Sequence, residues 1–132
     1  MSVKVKGQVP AEDAANAVRT EIEWLIDKRD GAPNFEMKFK IKPGGRIPKH
    51  YHKDIEHEQF VLSGRYRVGI GERIYDVKAG DSLYIPAGTV HWYDNASSED
   101  AEFICVIPRM EKYEAVYLDD TTQPSSPPPA TC

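Results

Sequence analysis

A chain of 132 residues with a formal net charge of -4 is long enough for one domain with its own core and short for two. Its 21 Asp and Glu against 17 Lys and Arg leave no basic footprint for nucleic acid or an anionic membrane, so small molecules are the expected partners. No stretch approaches the ~20 consecutive apolar residues of a membrane span, and "MSVKVKGQVPAEDAANAV" lacks the apolar centre of a signal peptide, which predicts a cytoplasmic protein.

In chain order, the first element is "PAEDAANAVR". Pro10 stands at a plausible first helical position, Glu12 and Asp13 are early and Arg19 is late, which predicts one short peripheral helix within an N-terminal arm, residues 1–19. Strands follow. In "EIEWLI", Ile22, Trp24 and Ile26 alternate with Glu21, Glu23 and Leu25; in "NFEMKFKIK", Phe35, Met37, Phe39 and Ile41 share one face and Glu36, Lys38, Lys40 and Lys42 the other. "RYRVGIGERIYDV" predicts a hairpin turning at Gly71 and Glu72 through a type II′ turn. Pairing Ile70 with Arg73 then sets Val68 opposite Tyr75, Tyr66 opposite Val77 and Arg67 opposite Asp76. "SLYIP", "VHWYD", "EFICVI" and "YEAVYL" are further short strands, at the spacing of a sandwich or small barrel over residues 20–118. The tail 119–132, "DDTTQPSSPPPATC", has too little apolar content to join a core and is expected to be disordered. Cys105 lies in an apolar run and Cys132 ends the chain, so neither suggests a disulfide framework, and Cys105 is expected to be a small buried residue.

Three of the four histidines fall in "HYHKDIEH". His50 and His52 are two apart, so on extended backbone both rings project from one face; His57 opens the next strand after a short bend, and His91 opens a strand far along the chain. Two readings remain at this point: an exposed polar loop, or a metal centre gathered by a closed barrel, toward which the confinement of every histidine to two turn-and-strand segments points.

"GDSLYIPAGTVHWYDN" fits the second cupin motif at every position: Gly80, five residues, Pro86, Gly88, two residues, His91, three residues and Asn95. The first motif is met by Gly44, His50, His52 and Gly64. Its glutamate place is held by His57, with Glu56 one residue earlier. The chain thus resembles the cupin superfamily from about Glu21 to Leu118. The resemblance implies an all-β fold, a double-stranded β-helix or jelly-roll barrel, with a metal at its centre. It makes His50, His52 and His91 ligands and His57 a fourth in place of the carboxylate. The expected cofactor is one divalent transition metal, with Mn, Fe, Ni or Cu ahead of Zn and no choice among them from ligand type.

Four neutral imidazoles leave the ion's charge uncompensated, which strengthens its Lewis acidity and suits anionic or enolisable substrates. If His57 points inward, Gln59 and Val61 do too, and His91 brings Tyr93. Gln59 and Tyr93 are therefore candidates for substrate contact, with a packed aromatic as the other reading of Tyr93. Glu56 is a candidate general base or a solvated turn residue. The expected function is that of a metal-dependent, dioxygenase-like oxidoreductase acting on a small chelating substrate. The alternatives are an isomerase or lyase using the same Lewis acid, or a cupin that binds a small ligand without chemistry. "EIEWLI", as an edge strand carrying a tryptophan, predicts a homodimer.

Overall fold

A computed structural model describes residues 3–118, and its strands follow the alternation just traced. In chain order they are β1 (Glu12–Asp13), β2 (Val18–Ile26), β3 (Asn34–Tyr51), β4 (His57–Ser63), β5 (Arg65–Ile70), β6 (Arg73–Lys78), β7 (Ser82–Ile85), β8 (His91–Asp94), β9 (Ala101–Pro108) and β10 (Val116–Tyr117). All pair antiparallel in one curled sheet with the path β6-β5-β8-β3-β9-β4-β7, while β2 and β10 join β3 off that path. This is the all-β jelly-roll architecture. Among the described residues no helix is long and apolar enough to cross a membrane.

Strand β3 organises the molecule because it belongs to two neighbourhoods. Its first half pairs with β2 and with β9 from Asn34↔Pro108 to Ile41↔Ala101, and its second half pairs with β8 and β10. The change of direction falls at Gly44 and Gly45. Gly44 takes φ 78, and a Cβ on Gly45 would stand 2.6 Å from the Arg19 carbonyl oxygen, so only glycine admits this approach. Phe35, Met37, Phe39 and Ile41 are buried as predicted, and Phe103, Cys105 and Ile107 of β9 meet them. Phe39 and Tyr93 stack on Phe103 at 5.0 and 5.1 Å between ring centroids. This aromatic floor fills one end of the barrel and leaves the other to polar side chains.

The β5–β6 hairpin has the predicted register, Ile70↔Arg73 through Arg65↔Lys78, and Gly71 at φ 63 supplies the positive dihedral that its turn requires. Arg67 and Asp76 pair across it at 3.2 Å.

The segment "PAEDAANAVR" is not a helix. Glu12 and Asp13 pair with Ile22 and Glu21, Ala14 donates to the Thr20 carbonyl, and Asn16 and Arg19 adopt φ 60 and 47. A ten-residue helix in water nucleates poorly, whereas the hairpin covers part of the β2 edge and buries Ala14. Among the described residues a 3-10 turn forms at Lys28–Asp30, closed by an Asp27 capping box and by Gly31 at φ 69. The predicted disordered tail lies outside the described residues.

Candidate metal centre

At the other end of the barrel the strands deliver all four imidazoles to one place. His50 is the penultimate residue of β3, His52 follows the end of that strand, and His57 and His91 open β4 and β8. Pairing of His50 with His91 across β3 and β8 brings their ring centroids to 4.2 Å. His52 and His57 lie 4.8 Å apart, and His57 and His91 5.3 Å. All four are at most 1% exposed, so the reading of "HYHKDIEH" as an exposed polar loop is wrong for its histidines.

The hydrogen bonds fix which nitrogen faces inward. Nδ1 of His50, His52 and His91 lies 2.7, 2.8 and 2.9 Å from the carbonyl oxygens of Pro48, Glu114 and Thr89. A carbonyl only accepts, so each Nδ1 carries the proton and each Nε2 keeps its lone pair. One ring nitrogen from each of these three residues lies within 4.8 Å of the others. A metal held at ~2 Å from each nitrogen needs separations of ~3–4 Å, within reach of small rotamer adjustments. His57 is turned the other way: its Nε2 meets the Tyr113 hydroxyl at 3.3 Å, and its Nδ1 is the buried atom without a hydrogen bond.

Burial keeps these rings neutral. His50 is held well below the ordinary histidine range, first by burial and then by repulsion from His91 and His52. Burial, reinforced by the same kind of repulsion, lowers His57 to about 2. It lowers His91 to about 4, against an opposing contribution from the Thr89 carbonyl. Buried Nε2 atoms of His50 and His91 and Nδ1 of His57 make no hydrogen bond, an arrangement that costs free energy until a cation or donor arrives. Neutral imidazoles with inward lone pairs and outward N–H groups tied to carbonyls fit a divalent transition metal.

The remaining predicted residues divide by strand face. Along β4 the pattern is buried at His57, Gln59 and Val61 and exposed at Glu58, Phe60 and Leu62. Gln59 donates through Nε2 to the Tyr93 hydroxyl at 2.7 Å, while its Oε1 is buried without a hydrogen bond. Tyr93 is fully buried, its ring edge-on to His91 at 5.7 Å. Glu56, half-buried just before β4, hydrogen-bonds through its side chain to Glu58, whose carboxyl is raised to about 7 by burial first and then by Glu56. A surface cavity of about 460 Å³ near Arg67, Asp76 and Asp94 is lined by no histidine.

Neither alternation nor motif spacing marks the cover over this end. The segment after β9 crosses the histidines, and there Tyr113 stacks on His52 at 4.7 Å and 14° between planes and meets Trp24 edge-on at 5.8 Å. Tyr117 lies 5.4 Å from His50. Trp24 therefore packs inward against this cover. The aromatic content of "YEAVYL" was the available signal, and nothing in its spacing says which ring it meets.

The cupin domain family matches residues 37–107. Over 99 residues the chain is 32% identical to an acireductone dioxygenase of Xylella fastidiosa (strain M23), covering 64% of this chain and 50% of that protein. It is also 32% identical over 137 aligned positions to acireductone dioxygenase 1 of Nocardia farcinica, covering 89% of this chain and 71% of that one. The chain spans about half the length of the first of these relatives. Among solved structures, the polyketide cyclase RemF from Streptomyces resistomycificus superposes with a TM-score of 0.77 at 30% identity, over 83% of this chain and 80% of RemF. With the motif glycines, proline and histidines placed on one jelly-roll barrel, and more than half of the chain matched, this protein belongs to the cupin family.

Proposed function

We propose that this cupin is a metal-dependent enzyme in which His50, His52, His57 and His91 hold one divalent transition metal, and that it acts as a dioxygenase-like oxidoreductase on a small, enolisable, chelating substrate. The observation that carries this reading is the set of buried imidazole nitrogens turned inward without hydrogen bonds. The bound metal would supply Lewis acidity toward a chelating substrate. The chain's own residues do the rest. The carbonyls of Pro48, Glu114 and Thr89 hold three rings in the binding tautomer, and the aromatic floor of Tyr93 and Phe103 excludes water from beneath them. Gln59, oriented by Tyr93, keeps a buried acceptor for a substrate hydroxyl or N–H. Glu56 is left a role at the rim, as a proton acceptor reached through solvent.

The likeness to RemF supports a second reading, a cyclase or lyase that stabilises an enolate without redox chemistry. An acireductone and a polyketide share the relevant chemistry, since both enolise and both can chelate through neighbouring oxygens. Protein loaded separately with Mn, Fe, Ni, Cu and Zn, supplied with enediols and β-dicarbonyl compounds, decides between them. The dioxygenase reading expects oxygen uptake matched to substrate loss and no turnover without oxygen. The second expects undiminished turnover under argon, and failure with every metal refutes both.

A further inference from the structure

Three of the four imidazoles are held by backbone carbonyls, and His57 is held differently. Its Nε2 meets a side chain, the Tyr113 hydroxyl at 3.3 Å, from a segment 56 positions along the chain. The Tyr113 ring is itself placed by stacking on His52 and by its edge contact with Trp24. Beside it, the Glu114 carbonyl accepts from His52 Nδ1 at 2.8 Å. The segment is fastened where Val116 and Tyr117 pair with Tyr51 and His50, and where Leu118 donates to the Lys49 carbonyl.

We infer that Tyr113 is a positioning residue of the metal centre, whose hydroxyl selects the nitrogen and tautomer that His57 offers. This inference rests on the four-histidine reading. A phenol oxygen can accept from an imidazole N–H or donate to its lone pair. When Tyr113 accepts, the proton sits on Nε2 and Nδ1 presents its lone pair to the cluster. When Tyr113 donates, Nδ1 carries the proton inward and His57 cannot ligate. A cation among the rings favours the first arrangement, and the hydroxyl satisfies the Nε2–H that this arrangement leaves in a buried site. The fourth ligand is thereby tied to the docking of the covering segment, and the Glu114 carbonyl ties His52 to the same segment.

The test uses Co(II) added to chelator-stripped protein, read by its visible absorption and by competition with a chromophoric chelator. Tyr113→Phe keeps the ring that stacks on His52 and removes only the hydroxyl. The expected result is a loss in Co(II) affinity of about tenfold or more and a changed absorption band, in protein that circular dichroism shows to be folded without metal. Combining Tyr113→Phe with His57→Ala should cost no more affinity than His57→Ala alone, because both changes remove one interaction. Wild-type affinity and spectrum in Tyr113→Phe, or losses that multiply in the double variant, would each overturn the inference and leave the metal centre standing. Failure of the wild-type protein to bind Co(II) would instead remove the four-histidine reading on which it rests.

Discussion

Acid should unfold the metal-free protein, and the size of the effect follows from the buried imidazoles. His57 and His91 sit at about 2 and about 4, and His50 is also well below the ordinary 6.5. A folded value below the unfolded one means that the unfolded chain takes protons first. Stability is therefore full above pH 6.5 and is lost as pH falls toward the folded values. Each tenfold in proton affinity is ~1.4 kcal/mol, so His91 alone forfeits ~3 kcal/mol by pH 4, and His57 forfeits a similar amount over the same span. Against a domain stability of ~5–15 kcal/mol, two or three such groups are enough to unfold the chain between about pH 5 and 4.

Glu58 acts in the opposite sense. Its carboxyl is raised to about 7, so its contribution is present below 4.5 and is lost as pH rises through 7. It is largely exposed, and solvent keeps that contribution small. Thermal melts followed by circular dichroism in excess chelator, in the wild type and in Glu58→Gln, separate the two. The expected drop is ~10 °C or more between pH 6.5 and 5 in both proteins, with a metal-loaded sample holding its midpoint to lower pH because the lone pairs are occupied. A midpoint that is flat over that range, or that rises as pH falls, would mean that the histidines are not buried neutral groups.

Four further outcomes are expected. His57→Ala should lower metal content measured by plasma emission, whereas Glu56→Ala should leave it at the wild-type level; equal losses would place the carboxylate at the metal. Gly69→Ala drives a Cβ into the Trp92 indole, and should cost ~1–3 kcal/mol in urea melts; an unchanged midpoint would show that Trp92 moves freely. Gln59→Met removes a buried acceptor that makes no hydrogen bond and also the Nε2 donation to Tyr93, so metal-free stability should fall by about 1–3 kcal/mol and substrate affinity should fall with it; an unchanged substrate affinity would make Gln59 structural. A homodimer through the part of the β2 edge that β1 leaves uncovered is expected by light scattering, and a monomer mass at micromolar protein would exclude it.

What was legible in the sequence is what period two and fixed spacing can carry. The alternation in β3 names its buried face because one side must be wet, and the hairpin register follows from matching apolar and charged partners across Gly71 and Glu72. Alternation along β4 likewise names the buried set His57, Gln59 and Val61. Glu56 precedes that strand, and its side chain bonds to Glu58. The rule is silent where backbone is irregular. Residues 10–19 carry helical signals, but the unpaired edge of β2 gives their backbone groups partners that an isolated short helix lacks.

The cover over the histidines lies beyond such rules for a different reason. Tyr113 and Glu114 meet His57 and His52 across 56 and 62 positions, and one of those contacts is to a backbone carbonyl, which any residue type provides. A motif records side chains that must be of one kind, so it names His50, His52 and His91 and marks the place that His57 fills. It omits the groups that aim them, because a carbonyl leaves no mark in the residue alphabet. Only where the aiming group is itself a side chain, as at Tyr113, does its identity become something that substitution can test.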